Sequence, residues 1–300
     1  MIIREKQGIL PMLFAWRGTI FPKVLPAIIA LSGLSVVMGV MSHYRLLAIP
    51  TPPLVGFTIF GVVLSIFLGF RNNACYERWW EGRKLWGRLV ATERHLIRDS
   101  RVLDTDRRRH LLKRSILFTC LLRDRLRYQT AHTDLFLEYG EGGADIYQNH
   151  PNPPQFVLEQ MQRDLIAALR QEQIGEVVYS ALTRHIEALG EIQAGCDRIA
   201  STPLPFAYSV LLHRAIYSFC IMLPFGIESV LGLWTPLMVA WLVYMFLGLD
   251  ALSSQLGDPF GLQENNLPLD SLVRVIEREV LSALGQEIPP PLAAERYVMT

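Results

Sequence analysis

The segment between Leu54 and Trp86 constrains the fold of this 300-residue chain more than any other. Its first half, residues 54–70, holds no charged side chain, and its second half is charged and rich in tryptophan. No proline interrupts residues 54–150, so one helix can continue from an apolar environment into water. A bilayer-spanning helix needs about 17–25 apolar residues. The segment therefore predicts a helix that crosses a membrane and extends beyond it.

The composition indicates a membrane protein with a large aqueous part. Hydrophobic residues make up 51% of the chain, and the mean hydropathy of +0.25 is high for a soluble protein but low for a protein made only of membrane helices. The net charge of +1 gives no field that would recruit nucleic acid. The charge is uneven, since residues 71–127 contain 16 Lys/Arg against seven Asp/Glu.

The hydropathy pattern predicts an all-α membrane protein with four transmembrane helices per subunit and long cytosolic helices. The expected spans are residues 24–42, 54–70, 206–228 and 230–249, and the expected cytosolic parts are residues 71–205 and the tail 251–300. A proline-rich loop, residues 43–53, separates the first two spans. Because basic residues stay cytosolic, both termini are expected inside. No repeat or long linker divides the chain, so residues 1–300 are expected to form a single unit.

No sequence motif indicates an enzyme or a metal site. The chain lacks a nucleophile elbow, a zinc-protease motif, a phosphate loop and a dinucleotide fingerprint. Four widely spaced cysteines predict reduced thiols, and no cofactor or metal is expected: Cys75, Cys120, Cys196 and Cys220. His213 and Arg214 lie inside the third span, where ionisable residues are either functional or paired near the membrane surface.

An apolar stripe runs along the second span. Val62, Ile66 and Phe70 repeat every four residues and share one helix face. Such a stripe faces lipid, a neighbouring helix or a pore, and the spacing alone does not decide among them. Four small residues on this span allow close helix packing: Gly56, Gly61, Ser65 and Gly69. If copies of the helix surround an axis, the stripe forms apolar rings that can gate by dewetting.

Three segments carry a resemblance to the bestrophin family of ion channels. FRNNACYERWWEGRKLWG (residues 70–87) resembles the second-helix segment of that family. CDRIASTPLPFAYSVLLHRAIYSF (residues 196–219) and Asp-Pro-Phe-Gly (residues 258–261) resemble it too, in the same order and at similar spacing. The likeness covers about residues 1–285, in the compact form typical of bacterial members.

The resemblance implies a homopentamer in the bacterial inner membrane, with a central pore whose neck is lined by the second span. The three neck positions fall on Val62, Ile66 and Phe70, and a cytosolic aperture falls on Val177. Partners are then the lipid bilayer and permeant monovalent ions. Residues 262–266 hold one carboxylate where calcium-activated animal members carry an acidic run, so we expect no calcium clasp.

The expected ion is a monovalent cation such as sodium or potassium, by resemblance to bacterial relatives. Glu176, beside the aperture, is a candidate selectivity residue because acidic rings favour cations. The basic residues around Arg71 argue for the alternative, an anion channel of the same fold. A secondary transporter and a membrane-anchored scaffold or enzyme remain further alternatives; the first would need ionisable groups near the bilayer midplane.

Overall fold

The computed structural model describes residues 1–2, 8, 15–16, 18–44, 53–130, 135, 138–140, 146–147, 149–294 and 297–299. These residues are almost entirely helical, and they contain no strand beyond one isolated antiparallel bridge between Ile2 and Val298. The loop expected between the first two spans falls mainly on residues 45–52, which lie outside the described residues. The chain divides into two compact units, one apolar and one polar.

The described residues form eight α-helices of 15 residues or more. They are α1 (Phe21–His43), α2 (Leu54–Asp99), α3 (Thr105–Leu126), α4 (Pro153–Arg170), α5 (Glu176–Ser201), α6 (Phe206–Leu231), α7 (Thr235–Gly257) and α8 (Leu269–Ala283). Helix α2 has 46 residues, about 69 Å at 1.5 Å per residue, because no proline breaks it. Asp104 caps α3 by accepting hydrogen bonds from the Asp106 and Arg107 amides at 3.1 and 2.9 Å.

Three helical stretches are long and apolar enough to cross a membrane: Phe21–His43, Leu54–Val102 and Phe206–Gly257. The third contains both α6 and α7, so it covers the third and fourth expected spans. We expected the break between these spans at residue 229, but the chain turns in a 3₁₀ segment, Gly232–Trp234. Gly232 has a φ of 51°, which glycine adopts at low cost, and Pro236 favours a new helix start just after it.

The apolar unit consists of Arg4–Trp79 and Pro203–Asp258. Its core is formed by side chains of α1, α2, α6 and α7, among them Val24, Leu64, Leu68, Phe219 and Val243. Glycines allow close packing against aromatic rings at two positions of this unit, Gly61 and Gly226. An added Cβ at Gly61 would lie 3.2 Å from the Phe219 ring, and one at Gly226 would overlap the Phe57 ring. By contrast, Gly56 and Gly69 face open space.

The polar unit consists of Met1–Ile3, Trp80–Thr202 and Pro259–Thr300. Within it, α5 runs antiparallel to the later part of α2. Arg198 pairs with Glu81, and Arg88 pairs with Glu191 at 2.8 Å. The second pair lies seven residues later than the first on α2 and seven residues earlier on α5, as expected for antiparallel helices. Charged residues in the later part of α2 therefore pair with residues of α5. Trp86, in the same part of α2, is fully buried.

Candidate functional site

The predicted neck residues lie on the face of α2 that the rest of the chain leaves uncovered. Leu64 and Leu68 are buried, while Val62, Ile66 and Phe70 are 54%, 51% and 66% exposed. The two sets lie about 200° apart around the helix, because each residue advances about 100°. The stripe is therefore available to lipid, to a second copy of the chain or to an aqueous pathway.

Contacts with α6 fix the rotation of α2 that leaves the stripe exposed. The Phe57 and Phe219 rings lie 6.5 Å apart, and the Phe60 and Phe219 rings lie 5.6 Å apart, edge to face. The Tyr208 hydroxyl donates a hydrogen bond to the Phe67 carbonyl at 3.2 Å. These contacts involve one side of α2 only, so they set which residues the opposite side presents.

Arg71 follows Phe70 directly, but its charge does not reach the stripe. The side chain is buried and forms an ion pair with Asp250 of α7. Its Nη2 also donates to the Ser254 hydroxyl at 3.1 Å. The positive charge is thus neutralised inside the unit, which removes the structural basis for treating Arg71 as an exposed anion attractor.

The partly exposed His213 contacts the same buried carboxylate, Asp250. Its Nδ1 lies 2.9 Å from Oδ2 of Asp250, and its ring lies 4.6 Å from the Tyr217 ring. Of the two interpretations of this intramembrane histidine, pairing with a neighbouring residue is therefore the one that the contacts support. Asp250 connects α2, α6 and α7 through these bonds.

Sequence reasoning missed the role of Asp250. Arg71 and Asp250 are 179 positions apart, so no local pattern links them. The available signal was indirect: Asp250 is an isolated carboxylate at the end of an apolar segment, and a buried carboxylate needs a partner.

The predicted aperture residues lie in the polar unit, in the first turn of α5. Val177 is 83% exposed, and Glu176 is exposed beside it. The helix start is held by Tyr179, whose hydroxyl accepts a hydrogen bond from Gln162 of α4 at 2.7 Å. An exposed valine at a helix start can contact a second copy or a passing ion, and its assignment as an aperture stays a prediction.

The described residues contain no group of His, Cys, Asp or Glu side chains arranged to hold a metal ion. In the segment where a calcium clasp would lie, Asn266 uses its side-chain oxygen to accept a hydrogen bond from the Gln263 amide at 2.5 Å. That side chain therefore stabilises a turn of the chain itself.

The family assignment comes from a comparison over nearly the whole chain. The model of the Bacterial/Fungal Bestrophin protein family matches residues 1–282. The chain belongs to the bestrophin family. Membership confirms the resemblance drawn from the three sequence segments. It also makes the chain a member of an ion-channel family, so the expectation that it is not an enzyme is confirmed.

Curated relatives and solved structures agree with this assignment. The chain is 40% identical over 99% of its length, and 96% of the relative, to a voltage-dependent anion channel-forming protein of Mesorhizobium japonicum. It is 35% identical over 99% of both chains to the voltage-dependent anion channel-forming protein YneE of Escherichia coli. A crystal structure of a bacterial bestrophin homologue from Klebsiella pneumoniae matches with a TM-score of 0.83 at 30% identity, covering 88% of this chain and all of that one.

These matches confirm the expected fold class, an all-helical membrane protein of the bestrophin type. The bestrophin chain is therefore a membrane protein whose apolar helices are α1, α6, α7 and the first part of α2.

Proposed function

We propose that this bestrophin forms a homopentameric channel in which Val62, Ile66 and Phe70 line a hydrophobic neck. The observation that supports the proposal most strongly is the exposed apolar stripe on α2. Three large apolar side chains at four-residue spacing remain uncovered, although Leu64 and Leu68 on the opposite side of the same helix are buried. Five such stripes around an axis would enclose an apolar pathway.

The neck acts through the hydration of its rings. Apolar rings of Val, Ile and Phe bind water weakly, so a narrow passage between them can empty of water and stop ions. Widening or wetting the rings lowers this barrier. Since apolar rings interact with ions of either sign similarly, the neck controls whether ions pass more than which ions pass. The proposal includes Val177 as a second constriction. Residues 1–300 then act as a single bestrophin-like unit.

Two candidates exist for the permeant ion, an anion and a monovalent cation. The curated relatives are named as anion channel-forming proteins, which favours anions over the sodium or potassium ions expected from the sequence. A specific feature of this chain favours cations: Glu176 is exposed directly beside Val177, whereas Arg71 is buried and neutralised by Asp250.

A reversal potential measured on the purified protein in a planar bilayer tests both the channel and the sign. Sodium chloride would differ tenfold across the bilayer. A reversal near the chloride potential supports an anion channel, and one near the sodium potential supports a cation channel. A preparation that is pentameric yet passes no current at any voltage contradicts the proposed function.

The neck assignment has an internal control on the same helix. The variant V62A/I66A/F70A is expected to raise unitary conductance several-fold, because smaller side chains widen and wet the rings. The control is Phe67, which is 47% exposed but lies about 100° around the helix from Ile66. The variant F67A should therefore keep the wild-type unitary conductance. If only this second variant raises conductance, the neck has been assigned to the wrong face.

We also propose an orientation in the bacterial inner membrane with both termini cytosolic. The proposal is supported by the 16 Lys/Arg among residues 71–127, which follow the second span. A cysteine placed at the C-terminus of a variant should react with a membrane-impermeant thiol reagent in inverted vesicles and not in intact spheroplasts. Labelling in spheroplasts alone would reverse the orientation.

A further inference from the structure

The part of α2 that lies in the apolar unit carries three charged residues, and their environments differ. They are Arg71, Glu77 and Arg78. Arg71 is buried against Asp250, and Nε of Arg78 donates to the Gly257 carbonyl at 3.0 Å. Both arginines are thus directed toward α7. Glu77 is exposed and forms no ion pair within the described residues.

The rotation of the helix explains this separation of charge. Glu77 follows Phe70 by seven residues, so it lies within about 20° of the same face. Arg71 and Arg78 follow Phe70 by one and eight residues, and they lie about 80–100° away from it. The stripe that begins with three apolar residues therefore continues to a carboxylate, about 10 Å farther along the helix axis than Phe70.

Asn73 holds this carboxylate on the stripe. Asn73 is exposed and lies between Phe70 and Glu77, and its Nδ2 donates to Oε1 of Glu77 at 3.0 Å. A neutral amide donor orients a carboxylate without cancelling its charge. The negative charge consequently remains available to an ion.

We propose that Glu77 is a charge-selectivity residue, which forms a ring of carboxylates beyond the apolar neck, concentrates cations there and repels anions. This inference rests on the proposed function, since a ring requires that the stripe face a shared axis. The ligand it selects is a monovalent cation, which a ring of carboxylates attracts by charge. Acidic rings are a known means of cation selection. The inference therefore supports the cation candidate.

The test is a charge series at position 77, measured as the cation-to-anion permeability ratio from the reversal potential in a tenfold sodium chloride gradient. E77Q should lower the ratio at least about twofold, the effect expected for one carboxylate about 8 Å from an ion in water. E77K should lower it further, and E77D should retain most of the wild-type ratio. The matched control E187Q removes an exposed carboxylate from α5 and should leave the ratio unchanged.

A second experiment avoids dependence on the folding of each variant. The variant E77C would be assembled first and then treated with a methanethiosulfonate reagent carrying either a negative or a positive group. The four native cysteines are buried, so reaction is directed to position 77. The negative group should restore the wild-type ratio, and the positive group should shift it toward anions.

The outcomes separate the inference from the function on which it rests. Currents that persist with an unchanged permeability ratio in E77Q, and with both reagents on E77C, overturn the role of Glu77 and leave the channel intact. A wild-type pentamer without current overturns the proposed function itself. If the cation-to-anion permeability ratio rises in E77Q, Glu77 does not favour cations and the inference is wrong.

Discussion

Glu93 is a buried residue of the polar unit that makes the stability of the protein depend on pH. It is 1% exposed, and neither carboxylate oxygen accepts a well-formed hydrogen bond from the described residues. Burial, partly offset by the nearby Ser115, raises the pKa of Glu93 from 4.5 to about 7. The unfolded chain releases this proton at a lower pH than the folded one. The contribution of Glu93 to stability is therefore most favourable below about pH 4.5, and it is lost as the pH rises toward about 7.

The variant E93Q should abolish that loss. A glutamine cannot ionise, so we expect E93Q to be more stable than the wild type by up to about 3 kcal/mol above pH 7 and to lose this advantage in acid. Thermal unfolding in detergent between pH 5 and 8 measures the difference. E187Q, which changes an exposed glutamate, should track the wild type throughout. Parallel pH profiles for the wild type and E93Q would contradict the prediction.

At the scale of elements, Gly226 determines how closely α6 approaches α2. A Cβ at this position would overlap the Phe57 ring, whereas a Cβ at Gly39 of α1 meets nothing within 4 Å. G226A is expected to destabilise the apolar unit by about 1–3 kcal/mol through overpacking. G39A should be neutral or slightly stabilising, since alanine favours a helix. Thermal unfolding in detergent compares the two.

The cause of the loss can be tested by a compensating change. F57L removes the ring that a Cβ at position 226 would meet, so the double variant F57L/G226A should recover part of the stability lost in G226A. If F57L and G226A add their separate costs, the clash with the ring is not the reason.

The helices were largely predictable from the sequence, whereas their mutual contacts were not. Hydropathy predicts α1 and the apolar part of α2, and the absence of proline predicts the length of α2, because these properties depend on neighbours along the chain. The turn at Gly232–Trp234 was misplaced by a few residues, since the positive φ of Gly232 is a conformation and not a composition. The Arg71–Asp250 pair could not be predicted, because it joins helices distant in sequence.

At the scale of the whole molecule, the exposed apolar surface of α2 requires a covering that one chain does not provide. The stripe of Val62, Ile66 and Phe70 is uncovered, and so is Phe67, which lies about 60–140° around the helix from these residues. A helix that faces a pore with the stripe must contact a neighbouring copy or lipid with the side that carries Phe67. Truncation of the stripe should therefore change conductance, and truncation of Phe67 should change assembly.

Native mass spectrometry of the detergent-solubilised protein tests this division. Five chains of 34.1 kDa give an expected mass of about 170 kDa. V62A/I66A/F70A should retain that mass, because pore-facing side chains contribute little to contacts between copies. F67A should release monomers at a lower detergent concentration or temperature, because contacts between copies lose apolar area. A wild-type mass of 34 kDa contradicts the oligomer. Equal loss of assembly in both variants would mean that the stripe also lies between copies, and the pathway would then have to run along another face.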